Sequence, residues 1–154
     1  MTNDWLFRSE DYRCDLRVAG VLLKDGKILL QRDKNGAEYA LPGGHVQVGE
    51  ETKNALKREF CEEMGISVEV QRLLWTEECF WNWQGQTVHS LCFYYLVSGE
   101  AEALEGFRPH RDNEQVEYGF VPLELLAGLT VYPEFLKERI GALSDHPEHF
   151  VTYA

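Results

Sequence analysis

Gly44 to Ile66 reads GHVQVGEETKNALKREFCEEMGI and follows Leu41-Pro42-Gly43. Glu50, Glu51, Glu59, Glu62 and Glu63 crowd around Arg58 in this one stretch. So many carboxylates repel one another unless positive charge sits among them, and a hard divalent cation takes oxygen ligands. Leu41-Pro42-Gly43-Gly44 reads as a strand end followed by a turn, because Pro and paired Gly set special backbone angles. Thr52 to Met64 contains no Gly or Pro and predicts a helix. Glu50 and Glu51 suit the positive end of its dipole, and Gly65 stands where a left-handed cap belongs. At about 100° per residue, Glu59 and Glu62 share a face with Ala55, and Glu63 sits beside them. Leu56, Phe60 and Met64 form the apolar stripe that faces the core. The acids therefore flank the buried stripe, while Lys53 and Lys57 already supply a solvated face. They are not interleaved with lysines at the i, i+4 spacing of an exposed helix, so a solvated acidic face does not account for them. Arg58 is suited to orient carboxylates through bidentate pairing.

The stretch resembles the signature of the Nudix hydrolases (MutT-like proteins), G-x5-E-x7-R-E-U-x-E-E-x-G-U with U aliphatic. Gly44, Glu50, Arg58, Glu59, Glu62, Glu63, Gly65 and Ile66 match. Phe60 stands at an aliphatic position, which keeps the burial and changes the volume. The motif covers about a seventh of the chain. The resemblance implies an α/β fold, an α/β/α sandwich with a mixed β-sheet, in one domain over residues 1–154 with 1–14 as an N-terminal extension. It implies cleavage of a nucleoside diphosphate linked to another group, with Mg²⁺ or Mn²⁺ as cofactor. It also implies roles. Glu59 and Glu63, one turn apart, are expected cation ligands, and Glu62 is a ligand or a partner that positions water. Gly43 offers a backbone carbonyl, since glycine lets the chain approach closely. Glu50 orients Arg58 or a water held by the cation, and Arg58 organises the set. Which carboxylate activates the water stays open.

Composition bounds the rest. The 154 residues allow one domain with an ordinary core. A hydrophobic content of 44% and a charged content of 27% are those of a globular protein. No apolar run approaches the ~20 residues of a membrane span. The polar, acidic start MTNDWLFRSEDYRCD is unlike a signal or transit peptide. A net charge of −11 argues against nucleic-acid polymers as partners. Cys14, Cys61, Cys79 and Cys92 lack C-x-x-C or disulfide-framework spacing, so reduced thiols in a cytoplasmic protein are expected, with Cys92 in a core strand.

Strands are expected at 16–23 and 27–31 around the Asp25-Gly26 hairpin signal, then at 38–41, 67–77, 87–97 and 116–121. Residues 78–86 read as a turn, 99–113 as a polar loop, 123–126 as a helical turn, and 133–143 as a final helix opened by Pro133. Strands that outnumber helices suit a mixed sheet covered on both sides. Outside the motif, Glu114 is a loop acid that is either a ligand or base, as in several relatives, or a solvated side chain; Glu117 is a weaker candidate. Arg17 and Arg32 flank the first hairpin and either meet phosphates or lie on the surface. His89 reads as a packed, hydrogen-bonded histidine. Phe80, Trp81 and Trp83 crowd the expected turn, where exposed aromatics need cover or use. They either stack on a nucleobase, worth about 1–3 kcal/mol per ring, or pack against a partner subunit of a homodimer or against Trp5 and Phe7. A metal-dependent diphosphatase acting on an NTP, dNTP or nucleotide sugar leads the readings. The alternatives are a nucleotide-binding module without hydrolysis, an ADP-ribose pyrophosphatase, and a diphosphate isomerase.

Overall fold

The computed structural model describes residues 3–101 and 106–154. Strand β1 (Leu6–Arg8) pairs antiparallel with β2 (Tyr12–Lys24), and Asp4 bridges to Gln47, so the N-terminal residues are woven into the sheet. β2 turns at Asp25-Gly26 into β3 (Lys27–Asp33). Both turn residues have positive φ, 50° and 75°, the mirror-image geometry that matches strand twist. β4 (Glu38–Ala40) and β5 (Gly43–His45) follow. Gly43 and Gly44 were expected in a turn and instead start β5. It runs antiparallel to β2 with Ala19 opposite Gly43, so close that a Cβ on Gly43 would fall 1.9 Å from the Val18 carbonyl oxygen.

Helix α1 (Thr52–Met64) has the expected bounds. Gly65 ends it in the left-handed conformation, φ 67°, and its N–H donates to the Cys61 carbonyl at 2.9 Å. Leu56, Phe60 and Met64 are buried, with Ala55, as the stripe requires. Phe60 reaches across to Gly20 on β2, whose missing side chain makes room for the ring: a Cβ there would lie 3.0 Å from Phe60 Cε1 and Cζ.

β6 (Val68–Trp83) and β7 (Gln86–Gly99) form a long hairpin. The expected turn at 78–86 shrinks to Gln84-Gly85, with φ 48° and 80°. Pairing of Trp81 with Val88 and of Trp83 with Gln86 carries the strand through the whole aromatic run. Cross-strand aromatic and β-branched neighbours favour the ladder over the expected turn. β7 lies parallel to β2 from Tyr12–Thr87 to Leu22–Val97. Of the expected loop 99–113, residues 102–105 lie outside the described residues, and β8 (Arg108–Pro109) pairs with β9 (Val116–Pro122), which also pairs with β3. A 3-10 turn at Leu123–Gly128 leads to β10 (Thr130–Tyr132), parallel to β4. The expected final helix reduces to α2 (Leu136–Arg139). Gly141, Ser144 and Pro147 stop its extension. The unexpected β11 (Glu148–Tyr153) then pairs parallel with β6.

The strand order β10-β4-β3-β2-β7-β6-β11 is mixed. Side chains alternate across it. Val18, Leu22, Leu29, Tyr95 and Val97 pack under α1 on one face, while Ala19, Val21, Ile28, Cys92 and Tyr94 pack with Trp75, Leu126 and Leu136 on the other. The result is an α/β/α sandwich with a mixed sheet. No helix among the described residues is long and apolar enough to cross a membrane.

Candidate active site

The turn from β5 into α1 brings Glu50 over the face of the helix that carries Arg58. Arg58 Nε donates to Glu50 Oε2 at 2.8 Å and Nη2 to Glu50 Oε1 at 3.0 Å, a fork-on-fork pair. Glu50 Oε1 also accepts the Gln47 N–H at 3.0 Å. Arg58 Nη1 donates to Glu59 at 2.9 Å and reaches Glu62 at 3.3 Å, and Nη2 donates to the His45 carbonyl at 3.1 Å. One guanidinium thus joins three glutamates and the β5 backbone. Its hydrogen bonds hold the Glu50 carboxyl below the usual carboxylate range, and they hold Arg58 itself above its ordinary value.

Glu59 and Glu63 meet one turn apart, as their spacing requires. Burial, then the adjoining Glu63, push the Glu59 carboxyl up to about 8 against the pull of Arg58. Glu59 lies against Gly44, where a Cβ would fall 2.5 Å from its carboxyl carbon. Glu63 is buried. Its Oε2 is 3.1 Å from His110 Nδ1, and its Oε1 has no hydrogen-bond partner among the described residues. Two ionised carboxylates cannot satisfy each other, so the pair needs a proton or a cation. Glu62 is different: its side chain is 52% exposed and leans toward Arg58. In this conformation no three His, Cys, Asp or Glu side chains among the described residues gather as a complete ligand cage. A pair with an orphaned oxygen still suits Mg²⁺, which keeps several waters and takes one or two carboxylates plus substrate phosphates. Glu59, Glu63 and the backbone beside Gly44 are the residues that fit such a cation.

Gly43 lines a cavity of about 630 Å³ on the sheet face opposite α1. Arg17, Trp81, Tyr94 and Tyr132 line it, with Gln31, Asn82 and the acids Glu38, Glu77 and Glu134. Arg17 Nη1 lies 3.3 Å from His45 Nε2. Glu77 is buried in the wall and accepts from the hydroxyls of Tyr94 and Thr152, both at 2.7 Å. Cys79 and Cys92 also face the cavity. Burial pushes their thiols up to about 11 and about 12, so neither is a ready thiolate nucleophile.

The cavity and the acidic cluster separate the other expected residues. Trp81 lines the cavity, whereas Phe80 is on the opposite sheet face, stacked between His89 (4.3 Å) and Tyr153 (5.2 Å). Trp83 stands at the hairpin tip and is 49% exposed. His89 is exposed on its strand, not packed in the core. Arg32 is not in the lining: it donates to Glu117 at 2.9 Å and to Tyr39 at 2.8 Å, with its guanidinium over the Phe107 ring. Glu117 is engaged by that pair. Glu114 is exposed on the loop between β8 and β9, the loop that also delivers His110 to Glu63. His110 and Glu77 are the site neighbours that sequence reasoning missed. A single histidine in a polar loop has no periodic signal, and Glu77 reads as the polar end of a strand.

Known proteins resemble this chain. The chain is 45% identical over 60 residues to an ADP-ribose pyrophosphatase of Methanocaldococcus jannaschii, covering 37% of this chain and 36% of that protein. It is 28% identical over 107 residues to a putative mutator protein MutT4 of Mycobacterium tuberculosis, covering 70% and 41%. The chain thus spans less than half the length of these curated relatives. Among solved structures, a MutT protein of Bacillus halodurans superposes with a TM-score of 0.68 at 18% identity, covering 89% of this chain and 90% of that one. An ADP-ribose pyrophosphatase of Streptococcus suis gives 0.58 at 23% identity, covering 89% and 98%. Both are likenesses of fold. The NUDIX domain family model matches residues 15–140, most of the chain, and the protein belongs to that family.

Proposed function

We propose that the chain hydrolyses a diphosphate bond in a nucleoside diphosphate linked to another group, with Mg²⁺ or Mn²⁺ held by Glu59 and Glu63. The observation that carries this reading is the Glu59–Glu63 pair, one oxygen orphaned, next to a glycine strand that opens on a cavity. The cation, when bound, neutralises phosphate charge and lowers the pKa of the attacking water. The chain's own groups do the rest. Arg58 fixes Glu50 and Glu59 in orientation. Glu62, exposed beside Arg58, and Glu114, exposed on the loop that carries His110, are the candidates to take the water's proton. Arg17 is the one cation among the described residues that line the cavity, set against Glu38, Glu77 and Glu134. Phosphates therefore stay beside Arg17, and a neutral or amine-bearing ring enters between Trp81 and the tyrosines. An NTP, a dNTP, a nucleotide sugar and ADP-ribose all present such a ring. The relatives named as an ADP-ribose pyrophosphatase and a mutator protein keep both ends of that range in view. Free cysteines suit a cytoplasmic setting.

The test is a screen of those four substrate classes with Mg²⁺ and with Mn²⁺, following released phosphate and pyrophosphate. Hydrolysis of at least one class, abolished after stripping the metal with chelator, is the expected result. Binding without turnover across the panel would leave a nucleotide-binding module. Turnover that persists after stripping would remove the cation from the reaction.

A further inference from the structure

We propose that His110 is a positioning residue that holds Glu63 in its ligand orientation; this rests on the reading of Glu63 as a cation ligand. The loop between β8 and β9 grips one residue of α1 twice. His110 Nδ1 lies 3.1 Å from Glu63 Oε2, and the N–H of the next residue, Arg111, donates to the Glu63 main-chain carbonyl at 2.8 Å. Side chain and backbone of Glu63 are thereby tied to consecutive residues of a loop otherwise remote in sequence. The Arg111 guanidinium lies over Gly65, the residue that ends the helix.

The loop itself is held. The His110 N–H donates to the Val116 carbonyl at 2.8 Å, and the imidazole packs against Tyr118 with ring centroids 5.8 Å apart. His110 is 5% exposed and its Nε2 has no partner among the described residues. Its one polar anchor is therefore Glu63. A carboxylate acceptor requires an N–H on Nδ1, whatever the charge of the ring. That N–H faces Oε2 and leaves Oε1 as the orphaned oxygen. Without it the Glu63 side chain is free to swing, and the orphaned oxygen is no longer fixed. Partners of this kind, behind a ligating group, typically cost 10–100-fold in metal affinity when removed.

The experiment measures Mn²⁺ binding without substrate, by the electron paramagnetic resonance of free Mn²⁺, in the intact protein and in Glu63→Gln, His110→Leu, His110→Asn and His110→Gln. Asparagine places its amide N–H near the Nδ1 position; glutamine places it near Nε2, away from Glu63. Glu63→Gln should weaken Mn²⁺, and His110→Leu should weaken it by about 10–100-fold. His110→Asn should stay within a few-fold of the intact protein and His110→Gln should not. A purely structural role would lower the melting temperature of all three His110 variants without this order. If Glu63→Gln weakens Mn²⁺ and His110→Leu does not, His110 has no positioning role although the cation site stands. If Glu63→Gln leaves binding unchanged, the ligand reading of Glu63 fails and the proposal falls with it. If His110→Leu does not fold, asparagine and glutamine alone decide: equal affinities overturn the proposal.

Discussion

A single guanidinium sets the geometry of the acidic cluster, and its strongest attachment is to Glu50. Both Nε and Nη2 of Arg58 engage that carboxylate, and both side chains are about four-fifths buried. Hydrogen bonds to charged groups contribute roughly 1.5–3 kcal/mol when partly buried. Glu50 has its pKa lowered in the folded chain, first by Arg58. A depressed carboxylate contributes stability that is present above the unfolded pKa, about 4.3 for Glu, and is lost as pH falls through the folded value. Glu50→Gln cannot titrate. The stability gap between the intact protein and this variant should therefore be full near pH 7 and close progressively below about pH 4.3. Urea melts of both proteins across that range check it. A gap of constant size would show that Glu50 acts by shape and not by charge. The motif side chains were legible in the sequence because helical periodicity puts residues three and four apart together, whatever the rest of the chain does. Their actual pairing was not: Glu62 joins Arg58 at the exposed edge, while the contact of Glu63 with His110 depends on a loop far along the chain.

The helix and the strand beneath it show why a departure from an aliphatic position is tolerated. Phe60 is fully buried, and the space for its ring comes from Gly20 on β2. Gly20→Ala would place a methyl 3.0 Å from two ring carbons, and overpacking of a tight core costs about 1–3 kcal/mol. Phe60→Leu removes ring volume and leaves part of that space empty, at a cost of about 1–2 kcal/mol. Combined, each repairs the other, so the double variant should be more stable than the sum of the singles by about 1 kcal/mol. Denaturant melts of all four proteins test this, and strict additivity would mean that the two positions relax independently. At this scale the sequence was informative only where local signals are strong. α1 has its cap and stripe, and the Asp25-Gly26 turn has its dipeptide. β6 was cut short because its polar residues resemble a loop, although pairing with β7 overrides them. β11 was invisible because its ladder partner lies about seventy residues earlier.

On the scale of the whole molecule, the sheet divides the aromatic run between its two faces and its tip. Trp81 faces the cavity with Tyr94 and Tyr132. Phe80 faces the other way, where Phe7, Leu91, Val151 and Tyr153 are exposed. Trp83 stands at the hairpin tip. The proposed base recognition and the proposed subunit contact, which the sequence left attached to one cluster, can therefore be tested on different side chains. Trp81→Ala should raise KM for the cleaved nucleotide roughly tenfold or more, since one stacked ring is worth about 1–3 kcal/mol and 1.4 kcal/mol is a factor of ten. Its kcat should change less, because Trp81 lines the cavity on the sheet face opposite the helix that carries the acidic cluster, and its mass in solution should be that of the intact protein. Trp83→Ala should leave KM within about twofold, well under the loss of one stacked ring. If the exposed tip and the apolar face beside it meet a second copy, this variant shifts the sedimenting mass toward monomer. Steady-state kinetics and sedimentation velocity on both variants read the two functions separately. A KM change at Trp83 with none at Trp81 would reverse the assignment and move the ring of the substrate out of the cavity to the hairpin tip.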